Sequence, residues 1–300
     1  MAWALARYRI ARTLATALPS TQAFRLAEWV ADAQWRRSSG DRRAVRANLA
    51  VLMDRETLPD DSLLARDVFR HFGHYLVEFL SAHRRTLRTI VIEGREEVER
   101  QFSAPHNGIV LSAHVGNWEL GGILLAWLGI RLSAVALPHP DRAVNRLFDA
   151  QRRRCGLDVI PLDSRAAGRS LQALRQGRWL GLLGDREFGR GGVASTFFGR
   201  HIQLPSGPAI LSIRSGRPVV PLFLIRRGPW QFRFHLEPPI WPSTDGSMRQ
   251  RIIALTQRYT EAIERGLRRA PTQWLMFQPF FGADLASHGA AATAAAGTMP

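Results

Sequence analysis

Lysine is absent from this chain of 300 residues, and all 41 of its basic side chains are arginine. With 25 acidic residues against them, the formal net charge is +16. Guanidinium groups bind phosphate and carboxylate in a planar fork, so such a surface suits acidic lipid headgroups, an acidic carrier protein or nucleic acid. The arginines are dispersed along the chain and no nucleic-acid-binding motif accompanies them, so no nucleic-acid partner is expected. Cysteine is nearly absent: Cys155 stands alone. That excludes an internal disulfide and a cysteine-based metal cluster, and it agrees with a reducing compartment. Long apolar runs are missing too. The stretch from Leu120 to Ile130 is uncharged for only 11 residues, whereas a spanning helix needs about 20. Arg7, Arg9 and Arg12 break the N-terminus before a secretory core can form. Any meeting with a membrane is therefore expected from its surface. A Gly-x-Ser-x-Gly elbow is also lacking, which disfavours a hydrolase built on that nucleophile.

What is present supports a substantial folded core, since 46% of the residues are hydrophobic. Three regions separate. Residues 1–85 lack strand-like runs and read as a helical, membrane-associating region. In its first helix Trp3, Ile10, Leu14 and Leu18 recur at helical spacing, flanked by Arg9 and Arg12. Packing on the main domain and insertion into a headgroup layer both fit that pattern. Residues 86–282 alternate short apolar runs with helical patterns. Strands are predicted at 108–113, 132–137, 157–162, 179–184 and 219–225, with 231–237 folding back as a hairpin partner. Helices are predicted at 118–128, 142–155, 168–176, 208–215 and 248–269. This alternation predicts an α/β fold: a mixed, mainly parallel sheet flanked by helices, preceded by the N-terminal helical region. Residues 283–300, rich in Ala and Gly, read as a disordered tail.

The segment Gly108–Leu128, GIVLSAHVGNWELGGILLAWL, carries the first candidate chemistry. A buried strand ends near Ala113, His114 follows, and Asn117 is a good N-cap for a helix that opens on Trp118 and Glu119. In open α/β sheets sites form beyond the carboxyl ends of strands, which is where His114 falls. A carboxylate at one imidazole nitrogen leaves the other as a base, and Glu119, one turn on, is the expected orienting partner. A second segment, Gly184–Gly199, follows another strand and opens with Asp185, Arg186 and Glu187. Its glycines at 189, 191 and 192 suggest close backbone approach, and Phe197 and Phe198 an apolar wall. Arg152, Arg153 and Arg154 close a predicted helix, where they suit either the helix dipole or an anion. His71, His74 and Glu78 share one face of a predicted helix, and ordinary surface or interior side chains explain them better than a metal. No metal is expected.

Together these blocks resemble the bacterial acyltransferases that acylate lipid A or phosphatidylinositol mannosides, a branch of the lysophospholipid acyltransferase superfamily. The superfamily's His, four residues, then Asp or Glu is here His114-Val-Gly-Asn-Trp-Glu119. The branch's Asp-Arg-acid block is Asp185-Arg186-Glu187, and its Phe-Phe-Gly is Phe197-Phe198-Gly199. Pro205-Ser-Gly207-Pro208-Ala209, Pro218-Val-Val-Pro221 and Thr272-Gln-Trp274 match later blocks, and Arg152 with Gly156 matches the middle one. The Phe-Pro-Glu-Gly-Thr-Arg block of glycerol-phosphate acyltransferases is missing. A spanning N-terminal helix, common in lipid A members, is missing too, and the Arg-rich amphipathic start is closer to the mannoside branch. The resemblance implies transfer of an acyl group from acyl-carrier protein or acyl-coenzyme A, as co-substrate rather than cofactor, to a hydroxyl of a membrane glycolipid. It implies His114 as general base and Glu119 as its orienter. Arg152, Asp185, Arg186 and Glu187 are implied to bind substrate or the oxyanion. It places the protein peripherally on the cytoplasmic face of the inner membrane. A lysophospholipid acyltransferase or a lipid hydrolase of similar fold is the alternative.

Overall fold

The computed structural model describes residues 2–187 and 192–282, with the side chains of residues 2–4 left out. The expected tail at 283–300, the glycines at 189 and 191 and the side chain of Trp3 lie outside the described residues.

The centre is a seven-stranded sheet. In chain order its strands are β1 (Val91–Glu93), β2 (Ile109–Ser112), β3 (Leu132–Ala136), β4 (Asp158–Pro161), β5 (Trp179–Leu183), β8 (Val219–Gly228) and β9 (Gln231–Leu236). Across the sheet the order is β1-β9-β8-β2-β5-β3-β4. Strands β8, β2, β5, β3 and β4 run parallel, and β9 turns back against β8. The sheet is thus mixed and mainly parallel. Its central strands are continuous apolar runs because both faces are covered. Alternation sorts β2: Ile109 and Leu111 enter one core, Val110 the other. Each such side chain, wholly buried, stabilises the fold by about 2 kcal/mol.

Helices α5 (Arg95–Phe102), α6 (Trp118–Trp127) and α7 (Arg142–Arg154) pack on the Val110 side. Helices α8 (Ala166–Arg175), α9 (Gly207–Ser215) and α10 (Met248–Arg269) pack on the other. The long α10 starts on a capping box between Ser247 and Gln250. Ahead of the sheet come α1 (Ala2–Ala17), α2 (Ser20–Arg37), α3 (Ser39–Leu52) and α4 (Leu63–Ser81). Phe69 and Phe72 of α4 meet Phe277 edge-on at 5.0 and 5.4 Å, which fastens these helices to the C-terminal segment. On α1 and just after it the packing face is Leu5, Tyr8, Ala11, Ala15 and Leu18, while Ile10 and Leu14 face outward. Leu18 therefore belongs to the core side rather than to the stripe expected with Ile10 and Leu14.

Two elements differ from expectation. Strand β1 is three residues long and mostly exposed, so no apolar run announces it. The segment after Asp185 contains a separate hairpin of β6 (Gly192–Phe197) and β7 (Arg200–Pro205). Phe198 and Gly199 form its two-residue turn with φ of 49° and 71°, the doubly left-handed geometry that matches strand twist. Phe197 is fully buried against Phe280 and Phe281, so it is core and not the expected wall of a groove.

Candidate active site

Strands β2 and β5 are parallel neighbours, so the residues following them share one sheet edge. This puts His114 beside Asp185. The turn after β2 is tightly held: Gly116 N–H donates to the Gln273 carbonyl (3.0 Å), and Asn117 N–H to the Leu224 carbonyl (3.0 Å). Leu275 N–H donates to the His114 carbonyl at 2.8 Å. Gly116 has φ 63°, and a Cβ there would lie 2.0 Å from the Leu224 oxygen, so only glycine fits. Asn117 caps α6 as expected, its Oδ1 accepting from Leu120 N–H at 3.0 Å.

Asp185 is fully buried, and each of its oxygens is used. Oδ1 lies 2.8 Å from His114 Nδ1. Oδ2 accepts from the His114 backbone N–H and from Trp274 Nε1, both at 2.9 Å. Burial by itself pushes this carboxyl up, but the charge of His114 and the hydrogen bonds from His114 and Trp274 outweigh it and hold it at about 2. An ionised carboxylate only accepts, so Nδ1 carries a proton, and in the neutral ring Nε2 is the nitrogen left with a lone pair. Nε2 makes no hydrogen bond among the described residues, and the His114 side chain is 10% exposed. The ring edge packs on Trp118 at 4.9 Å, and Trp118 stacks on Tyr75 at 4.6 Å.

Glu119, the expected orienter, turns elsewhere. Its Oε2 accepts from Arg152 Nε at 3.0 Å, and its Oε1 from Arg152 Nη2. The two-pronged match of guanidinium and carboxylate explains the choice, since a buried Arg needs a paired anion more than a neutral imidazole does. Arg152 Nη1 also reaches Asp149 at 3.0 Å. Burial works against the Arg152 charge, and Glu119 more than restores it. The carboxylate on His114 is thus Asp185, a residue for which the resemblance implied substrate binding.

Arg186 follows Asp185 and places Nε and Nη2 at 3.2 Å from the Met276 sulfur. Burial lowers its pKa, and the Asp185 charge partly offsets that. The Glu187 side chain lies toward Gly192, at the base of the hairpin. Arg153 and Arg154 lie outside the cluster. Cys155 is buried, which pushes its thiol up to about 11 and makes it a poor nucleophile.

Behind the His114 turn lies a group that sequence reasoning missed. Glu78 of α4 is fully buried; its Oε1 accepts from Arg226 Nε at 2.7 Å. Its Oε2 accepts from Asn117 Nδ2 at 2.8 Å and from Arg226 Nη2. The signal is a carboxylate set among Tyr75, Val77 and Phe79, and an arginine ending the apolar run of β8, because buried charges are rarely left unpaired. His71 touches Arg226 through Nδ1 at 3.3 Å, and His74 pairs with Glu28 at 2.9 Å. No group of three metal-binding side chains occurs among the described residues. Cavities of about 300 and 410 Å³ open at the opposite sheet edge, around Trp179 and Trp241, and neither is lined by a member of the His114 cluster.

Known proteins resemble this chain over most of its length. The model of the bacterial lipid A biosynthesis acyltransferase family matches residues 2–282. A phosphatidylinositol mannoside acyltransferase of Mycobacterium tuberculosis is 27% identical over 258 residues, 82% of this chain and 79% of the relative. The protein of the same name from Mycolicibacterium smegmatis is 26% identical over 265 residues, 85% of this chain and 84% of the relative. Among solved structures, the 1-acyl-sn-glycerophosphate acyltransferase of Thermotoga maritima aligns with 84% of this chain and 96% of its own, at 15% identity and a TM-score of 0.39.

Proposed function

The chain belongs to the bacterial lipid A biosynthesis acyltransferase family, and from that premise we propose that it moves a fatty acyl group from a thioester donor to a hydroxyl of a membrane glycolipid. The observation that carries this reading is the His114–Asp185 pair at the edge of the sheet, with no hydrogen-bond partner for Nε2 among the described residues. Nε2 takes the proton of the acceptor hydroxyl as its oxygen attacks the thioester carbonyl. Asp185 stabilises the imidazolium that forms. The tetrahedral intermediate then collapses, the C–S bond breaks, and the thiolate of acyl-carrier protein or coenzyme A takes the proton from Nε2. A thioester is already activated, so no acyl-enzyme is required. Arg186 is the proposed oxyanion or phosphate partner. A thioether is a weak acceptor, so among the described residues the contact with Met276 leaves most of the guanidinium's donors for substrate. The Glu119–Arg152 pair and Glu187 are the further proposed substrate contacts.

A glycolipid acceptor is favoured by the mannoside acyltransferase relatives. Leu137 and Leu162, both exposed, follow β3 and β4 at the same edge as His114 and offer apolar surface to an acyl chain. A surface position at the cytoplasmic side of the inner membrane fits the outward faces of α1 and α2. There Ile10 and Leu14 lie near Arg7 and Arg9, and Trp29 and Val30 near Arg25, Arg36 and Arg37. No helix among the described residues is long and apolar enough to cross a membrane. Lipid mass spectrometry of cells with and without the protein tests the function. A glycolipid heavier by one acyl chain is expected. A change confined to phospholipids would replace the acceptor, and an unchanged lipid profile would remove the function.

A further inference from the structure

Three polar links from elements far away in the chain, at Glu78, Leu224 and Gln273, converge on residues 116 and 117, two or three positions from His114. Glu78 of α4 accepts from Asn117 Nδ2 at 2.8 Å. Asn117 is wholly buried, and its Oδ1 accepts from Leu120 N–H while its backbone N–H donates to the Leu224 carbonyl, so its side chain is committed at both ends. Arg226 holds Glu78 by two N–H groups, and His71 accepts from the same guanidinium at 3.3 Å. The Arg226 backbone exchanges two hydrogen bonds with the Gln273 side chain, at 3.0 and 2.9 Å. The Gln273 carbonyl in turn accepts from Gly116 N–H at 3.0 Å.

Helix capping explains only part of this. Ser or Asp would cap α6 as well as Asn; Asp brings no donor for Glu78, and a Ser hydroxyl ends one bond short of the amide nitrogen that reaches it. Stability alone explains the ion pair poorly, because a buried pair returns little more than its desolvation cost. We propose that Glu78, with Arg226, is a positioning residue for the transfer reaction: it fixes Asn117 and thereby the turn that aims the His114 ring at Asp185. Glu78 does not touch the reacting atoms. Its effect passes through two fixed points, the Asn117 side chain and the Gly116 N–H, which lock the turn while α6 starts rigidly behind it. The N-terminal helices are then part of the catalytic frame, because α4 supplies the anchoring charge. The kinetic consequence rests on the acyl-transfer reading; the geometric one does not.

Three full-length variants test it: Glu78→Gln, Asn117→Ser, and the double variant Glu78→Leu with Arg226→Met, which replaces the buried pair by apolar side chains and so restores stability. The first readout is the His114 Nδ1–H proton resonance, shifted downfield by Asp185 and measurable without any substrate. It is expected sharp in the wild type and broadened or shifted upfield in all three. The second is turnover with acyl thioester and glycolipid, where the maximal rate should fall roughly 30- to 100-fold while KM moves less than about twofold, the pattern of a misplaced catalytic group. If Glu78→Gln does not fold, the double variant carries the test. A double variant that melts like the wild type and keeps both its Nδ1–H resonance and wild-type turnover overturns the proposal. Wild-type protein that shows the resonance but transfers no acyl group from either thioester sinks the acyl-transfer reading and leaves the positioning of the ring standing.

Discussion

Asp185 and Glu119 are both buried acids at one edge of one sheet, and their charges are employed differently. Asp185 faces an imidazole that it can keep in one tautomer and, on protonation, neutralise. Glu119 faces a guanidinium that never changes charge. A carboxylate on a titrating partner takes part in proton transfer, whereas one on a permanent cation fixes shape and local potential. Proximity in the chain is a poor guide to which is which. Glu119 is close to His114 in sequence and leaves for α7, while Asp185 arrives from 71 positions away because β5 lies beside β2.

The comparison sharpens if each side chain is removed in turn. His114→Ala should give the largest effect, a drop in turnover of about a thousandfold or more on the usual scale for general bases. Asp185→Asn should follow at about a thousandfold, because an amide no longer dictates which nitrogen carries the proton. Folding should survive in both, as judged by circular dichroism. Glu119→Gln should cost roughly ten- to a hundred-fold through displacement of Arg152, the scale of a small misplacement. Steady-state kinetics on the three proteins, side by side, decides the order. If Glu119→Gln proves worse than Asp185→Asn, the assignment of the two acids is reversed.

Much of this frame is legible in the chain alone, and the unread parts share a cause. The five parallel strands can be read because strands covered on both faces are apolar runs bounded by turns, and α10 because its cap and periodicity agree. His114 can be placed at a strand's end for the same reason. Its partner cannot, since strand order is not written in any local pattern: β5 lies next to β2 only once the sheet is assembled. The hairpin β6–β7 reads as loop because its two short strands carry no continuous apolar run and Phe198 is an unusual residue for a left-handed turn. Glu78 reads as an ordinary helix residue, although a charge amid an apolar stripe asks for a buried counter-charge.

The smallest effect expected from the comparison is one of acid stability. Asp185 holds its folded carboxyl at about 2, against about 3.9 for an unfolded aspartate. Between those values the unfolded chain binds a proton that the native protein does not. Stability therefore falls as pH falls through this window, and the contribution is nearly complete above about pH 5. It amounts to between about 2 and 3 kcal/mol. His71 and His74, both pushed down to about 3 first by burial and then by the Arg226 charge, add their own decline below pH 6.5. A single melting curve therefore mixes all three groups. The difference between wild type and Asp185→Asn isolates one of them. Followed by denaturant titration at each pH, it should be constant from about pH 8 to 5 and shrink between about pH 4 and 2. Glu119→Gln leaves Asp185 in place, so the decline over that acid window should persist in it. A wild-type minus Asp185→Asn difference that stays flat to the acid end would mean that Asp185 is not ionised against His114, and the tautomer argument would lose its anion.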